Sequence, residues 1–195
     1  MSHIAAFVPV LLRDLAAALP PLAAGLFLLH VLLFREWKKT ARYAVFALLL
    51  CTVWSVTAPP NVLRAHFAPN VNFIPFVGMA DAPLETVLNV LLFVPVGLLL
   101  PLLWKHFRDG RLAVLWGFTL SLAIELGQLF SGITDIDDVI ANTLGTFLGY
   151  LVACALLLRH PALAKTDGTV WERSALVVLV FSVMFFAAPL ILRLF

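Results

Sequence analysis

The sequence predicts an all-α bundle of about six transmembrane helices with both termini outside, and three observations predict it. Hydrophobic residues make up 63% of the 195 and charged residues only 12%, where a soluble chain carries roughly a quarter charged. The mean hydropathy is +1.04, and the apolar residues fall in runs near the roughly 20 that a helix needs to cross a hydrocarbon core. The basic residues gather in alternate connections between those runs. The net charge of +2 is too small to point to nucleic acid as a partner.

Leu15–Phe34 is the first run, with Pro20 and Pro21 near its start, where a first helical turn has no amide partners to lose. The preceding Ile4–Leu12 is too short to cross and contains Pro9; it either lies at the interface or extends the first helix. No basic first region or small-residue cleavage site marks a removed signal peptide. The second run, Tyr43–Ala58, is short, which suits little tilt or local thinning of the bilayer. Pro59 to Leu84 is an irregular connection with Pro59, Pro60, Pro69, Pro75 and Pro83. Its apolar centre, Asn72-Phe73-Ile74-Pro75-Phe76, is expected to fold onto the helices or dip part-way into the membrane, with its backbone groups paired inside the protein.

Glu85–Trp104, Leu112–Ser131, Val139–Leu158 and Ser174–Leu194 are the remaining runs. Pro95 and Pro101 are expected to kink the third and open room beside Gly97. The stripe Asn142, Gly145 and Gly149 in the fifth most simply allows close helix packing. Cys51 and Cys154 both sit in apolar runs, as small fillers rather than disulfide or metal-site residues. Trp37, Trp104 and Trp171 fit an interfacial belt on the cytoplasmic side.

Ten of the thirteen Lys and Arg residues lie in the first, third and fifth connections, and only Arg13, Arg64 and Arg193 on the opposite side. The positive-inside rule then puts the odd connections in the cytoplasm. Glu36, Asp109, Asp167 and Glu172 mix with those basic residues, whereas Asp81, Glu85, Asp135, Asp137 and Asp138 gather at the outer end. Arg64 is the main candidate partner for them. His66, in the same outer loop, reads as a solvated histidine.

Three spans each bring a carboxylate and an amide to about the same depth. Ser121, Glu125 and Gln128 of the fourth span share one helical face, and a carboxylate there should face protein or a water-filled cavity. Glu85 and Asn89 open the third span, and Asp138 and Asn142 the fifth, each pair four residues apart. Asp135 or Asp137 also suits the cap of the fifth helix. Glu85, Asn89, Glu125, Gln128, Asp135, Asp137, Asp138 and Asn142 are therefore the candidate ligand-binding residues. No cofactor is expected, although hard cations take oxygen ligands and a divalent cation between Glu125 and Asp135–Asp138 stays open.

These motifs resemble the VanZ-like family of bacterial membrane proteins, associated with teicoplanin resistance. The matching pieces are Asn72-Phe73-Ile74-Pro75-Phe76; Asn89-Val90-Leu91-Leu92-Phe93-Val94-Pro95-Val96-Gly97; Ser121, Glu125 and Gln128; and Asp135-Ile136-Asp137-Asp138-Val139-Ile140-Ala141-Asn142-Thr143-Leu144-Gly145. One departure is visible: the family often has an arginine just before the acidic run, where this chain reads Ser131-Gly132-Ile133-Thr134. The resemblance implies an all-helical membrane domain at 44–158, flanked by a first span and loop at 1–43 and a loop and last span at 159–195. For some members it implies lower susceptibility to a lipid-tailed glycopeptide.

The expected function is a non-enzymatic protein of the bacterial cytoplasmic membrane whose outward-facing polar pocket binds lipid headgroups or a lipidated small molecule. The alternatives use the same carboxylates as proton or cation sites of a small transporter, or as a metal-dependent enzyme site. No nucleophile–base pair or His-rich motif accompanies the Asp135-x-Asp137-Asp138 run, and the oligomeric state is not legible.

Overall fold

The computed structural model describes residues 2–67, 69–165 and 168–194; Asp167 lies outside them. Helix α1 (Ser2–Leu29) runs into a π turn at His30–Phe34, and α2 spans Trp37–Thr57. Strand β1 (Asn70–Asn72) and the short helix α3 (Val77–Asp81) follow. Then come α4 (Pro83–Leu103), α5 (Gly110–Gln128), β2 (Ile133–Asp135) and α6 (Ile136–Arg159). Helix α7 (Val170–Ser182) passes through a second π turn into α8 (Ala188–Leu194). Among the described residues six helical stretches are long and apolar enough to cross a membrane. The predicted all-helical, multi-span architecture is what the chain forms.

Several boundaries differ from the sequence reading. Helix α1 takes in Ile4–Leu12, so Pro20 and Pro21 lie in its interior and not in its first turn. Irregular backbone facing lipid costs more than the amide donors those prolines lack, which keeps the helix continuous. Helix α2 starts at Trp37 and has 21 residues, about 31 Å at 1.5 Å per residue. The second span is therefore not short. Its first turns include Lys38, Lys39 and Arg42.

Packing divides the chain into two compact units, Met1–His66 with Val170–Phe195, and Phe67–Thr169. In the first, α2 buries Tyr43, Phe46, Ala47 and Cys51, and α7 buries Leu176 and Val180. A buried ionic group joins these two helices. Lys39 Nζ pairs with Glu172 Oε1 at 2.5 Å, and the Tyr43 hydroxyl donates to Glu172 Oε2 at 3.0 Å. The π turn at Val183–Ala187 leaves a carbonyl for the loop after α2, where Val62 N donates to Phe185 O at 3.0 Å.

The second unit is built on α6, which packs against α4 along most of its length and against α5 on its other side. Gly145 and Gly149 of α6 lie against the carbonyl oxygens of Val90 and Val94 of α4, and Gly97 lies against the Thr146 backbone. The room expected beside Gly97 is thus filled by α6. Trp104 is fully buried, edge-on to Phe107, whereas Trp37 and Trp171 are exposed, so it does not fit the predicted interfacial belt. The irregular connection does fold onto helices: β1 pairs parallel with β2, Asn72 opposite Asp135. This two-stranded ribbon fixes the loop to the α5–α6 corner.

A side chain at Gly149 would meet α4 backbone, which cannot yield as a flexible side chain can. Gly149→Leu is expected to destabilise the chain by about 1–3 kcal/mol through overpacking. Gly132 has open space around it and no positive φ, so Gly132→Ala should stay within about 0.5 kcal/mol. Thermal unfolding of both variants in detergent checks the contrast; equal midpoints would refute the backbone contact.

Candidate functional site

Six of the eight candidate residues make side-chain hydrogen bonds in three separate groups within the α4–α6 unit: Glu125 with Asp135 and Asp137, Asp138 with Asn89, and Asn142 with Ser121. Glu125 is 3% exposed on α5, and its Oε2 accepts the backbone N–H of Asp135 at 2.9 Å. The Thr134 hydroxyl donates to the Glu125 carbonyl at 3.0 Å. Asp135 caps α6, accepting the Asp137 amide at 2.9 Å, so its predicted capping role is observed. The same carboxylate accepts from Asn72 Nδ2 at 3.2 and 3.3 Å.

Asp137, 3% exposed, serves a different helix. Its oxygens accept the amides of Phe76 at 2.6 Å and Met79 at 3.0 Å, holding the start of α3. Phe76 adopts a left-handed conformation, φ 70°, which costs a bulky residue free energy. The Asp137 contact offsets that cost, because hydrogen bonds to a charged acceptor contribute about 1.5–3 kcal/mol. The loop thereby presents Phe73, Ile74 and Phe76, each at least 65% exposed.

Asp138 is half-buried and accepts from Asn89 Nδ2 of α4. Asn142, one turn on, faces α5 instead and donates to Ser121 Oγ at 2.9 Å. The shared face of Asp138 and Asn142 thus spans both neighbours of α6. Asn142 Oδ1 is buried with no hydrogen-bond partner among the described groups. Glu85 is exposed in the first turn of α4, within electrostatic reach of Asp138. Gln128 is half-buried at the end of α5, where its carbonyl accepts Gly132 N at 2.8 Å.

Asp138 and Asp135 also act electrostatically on Glu125. Among the described residues none of these five carboxylates forms an ion pair; Arg13–Asp14 and Lys39–Glu172 are ion pairs of the other unit. No three of the described His, Cys, Asp or Glu residues are arranged to hold a metal ion. The His66 ring is bonded to the carbonyl of Arg64 at 2.9 Å.

Asn72, Thr134 and Thr146 were not among the candidates. Asn72 was legible as a polar residue inside an apolar loop motif, but its partner lies 63 positions away. Thr146 extends the Asn142 stripe by one helical turn; its hydroxyl donates to the Asn142 carbonyl at 3.0 Å. Thr134 carried no sequence signal.

The family model VanZ/LLP1 matches residues 43–159. "Protein VanZ" of Enterococcus faecium is 39% identical over 138 residues, which cover 66% of this chain and 83% of that protein. No solved structure matches the chain.

Asp137→Ala should leave the Phe76 and Met79 amides unpaired and cost about 2 kcal/mol. Amide exchange at Phe76 and Met79 should then quicken about tenfold or more, with Asp137→Asn intermediate because one acceptor oxygen remains. Exchange unchanged in the alanine variant would show that Asp137 does not hold the loop.

Proposed function

The chain belongs to the VanZ/LLP1 family of membrane proteins, and from that premise we propose that it acts in the bacterial cytoplasmic membrane as a binding protein. Its acidic end receives the cationic part of a lipid headgroup or of a lipidated ligand at the outer leaflet. The observation that carries this reading is the set of five neighbouring carboxylates without an ion pair among the described residues. The lysine and arginine distribution supports an outward orientation for that end. Uncompensated negative charge there attracts a cation, which an exposed Glu85 and a half-buried Asp138 can meet first.

The internal partners favour binding over catalysis. Glu125, Asp135 and Asp137 each accept backbone amides, and Asp138 accepts an amide side chain. Such bonds hold charges in place. Asn89 and Asn142 orient the two faces of α6, and Gln128 borders the corner. A contribution to teicoplanin resistance follows as the cellular consequence of occupying lipid or a lipid-tailed glycopeptide. Burial of Glu125 inside a span is the observation that favours a proton- or cation-coupled transporter instead.

Asp138→Asn is expected to weaken binding of a lipid with a cationic headgroup about tenfold, or roughly 1.4 kcal/mol. It should also remove teicoplanin tolerance conferred on a susceptible host without lowering membrane abundance. Tolerance and abundance falling together would assign the cluster a structural role. Solute uptake by proteoliposomes driven by a proton gradient, and lost in Glu125→Gln, would favour transport.

A further inference from the structure

A groove of about 570 Å³ runs along the α5–α6 surface, lined by Gly110, Arg111, Val114, Leu115, Phe118, Thr143 and Phe147. It begins at the start of α5, about 22 Å along the helix from Glu125 at 1.5 Å per residue. None of its lining residues is one of the five carboxylates; the nearest, Phe118 and Thr143, lie about 10 Å along α5 from Glu125 and about 7 Å along α6 from Asp138 at 1.5 Å per residue. Its lining is almost wholly apolar. The one hydroxyl, Thr143 Oγ1, is already bonded to the Val139 carbonyl at 2.6 Å. The Tyr150 ring stands beside Gly110, its hydroxyl donating to the Arg108 carbonyl at 2.9 Å.

Arg111 is exposed at the same end. Its backbone amide is taken by Asp109 Oδ1 at 3.0 Å, but its guanidinium has no hydrogen bond or ion pair among the described residues. Exposed Lys105 lies in the same connection. An apolar groove within two membrane-spanning helices, ending at a free guanidinium, matches an amphiphile with a hydrocarbon tail and an anionic head. Guanidinium is also the side chain whose planar fork suits a phosphate.

We propose that this groove is a specific site for an anionic phospholipid, one acyl chain lying against Val114, Leu115, Phe118 and Phe147 and the phosphate held by Arg111. The site selects for headgroup charge, whereas lipid merely surrounding a helix does not.

Native mass spectrometry of the purified full chain, titrated with phosphatidylglycerol or with phosphatidylcholine of the same acyl chains, tests this. The wild type should retain one phosphatidylglycerol in preference to phosphatidylcholine. Arg111→Gln should weaken phosphatidylglycerol retention about five-fold, as expected for one basic side chain near a phosphate, and leave phosphatidylcholine unchanged. Val114→Trp, which fills the groove but keeps Arg111, should lower retention of both lipids. Thermal midpoints accompany each variant; if Arg111→Gln does not fold, Arg111→Lys and Val114→Trp carry the comparison. Equal retention of the two lipids by the wild type, or wild-type retention by the variants, overturns the proposal. So does a dimer that Val114→Trp dissociates while phosphatidylglycerol stays bound, which would make the groove a contact between copies.

Discussion

Backbone-to-backbone contact between α4 and α6 sets the distances on which the rest of the Phe67–Thr169 unit depends. Gly145 and Gly149 present no side chain to the Val90 and Val94 carbonyls, and Gly97 none to Thr146. In lipid, helices gain little from hiding apolar surface, so close packing and interhelical hydrogen bonds hold them together. The approach brings Asp138 within reach of Asn89, two turns before Gly145 on the same helix. A wider separation would break this hydrogen bond between α4 and α6.

Helix α6 then distributes its polar groups to three partners. Asp138 turns to α4, Asn142 to α5, and Asp137 to the loop that becomes α3. Asp135 joins this arrangement from the residue before the helix, bound by Asn72 across the parallel ribbon. The donors to these carboxylates among the described residues are backbone amides and carboxamides, none of them a cation. This donor set underlies the proposed attraction for a cationic ligand. The same bonds hold Phe76 in its left-handed conformation and keep the Phe73–Phe76 segment exposed beside the acids.

The six spans and the polar face of the fourth were legible because helical periodicity and hydropathy are local properties. Glu125, unaffordable toward lipid, had to face inward, and it is buried as that argument requires. The errors have equally physical origins. Pro20 and Pro21 suggested a helix start, but the membrane penalises a broken backbone more than a proline. Trp104 reads as interfacial from its position at the end of the third span, yet the turn at Lys105–Arg108 folds it against Phe107. Polarity at Lys38, Lys39 and Arg42 suggested a loop, where Glu172 from a distant helix makes Lys39 acceptable near the start of α2.

By itself, the sequence determined that this chain is a helical membrane protein and, to within a few residues at most helix ends, where its spans lie. Composition and periodicity suffice for that, because a bilayer admits few structures for a long apolar run. Only the tertiary structure decided who bonds to whom. Asn72 meets Asp135, Asp137 serves α3 and not its own helix, and Ser121 takes the amide of Asn142. Those choices depend on how closely α6 approaches its neighbours and on the register of a three-residue ribbon. Neither is encoded in any local window, since each partner is supplied by a segment far away along the chain.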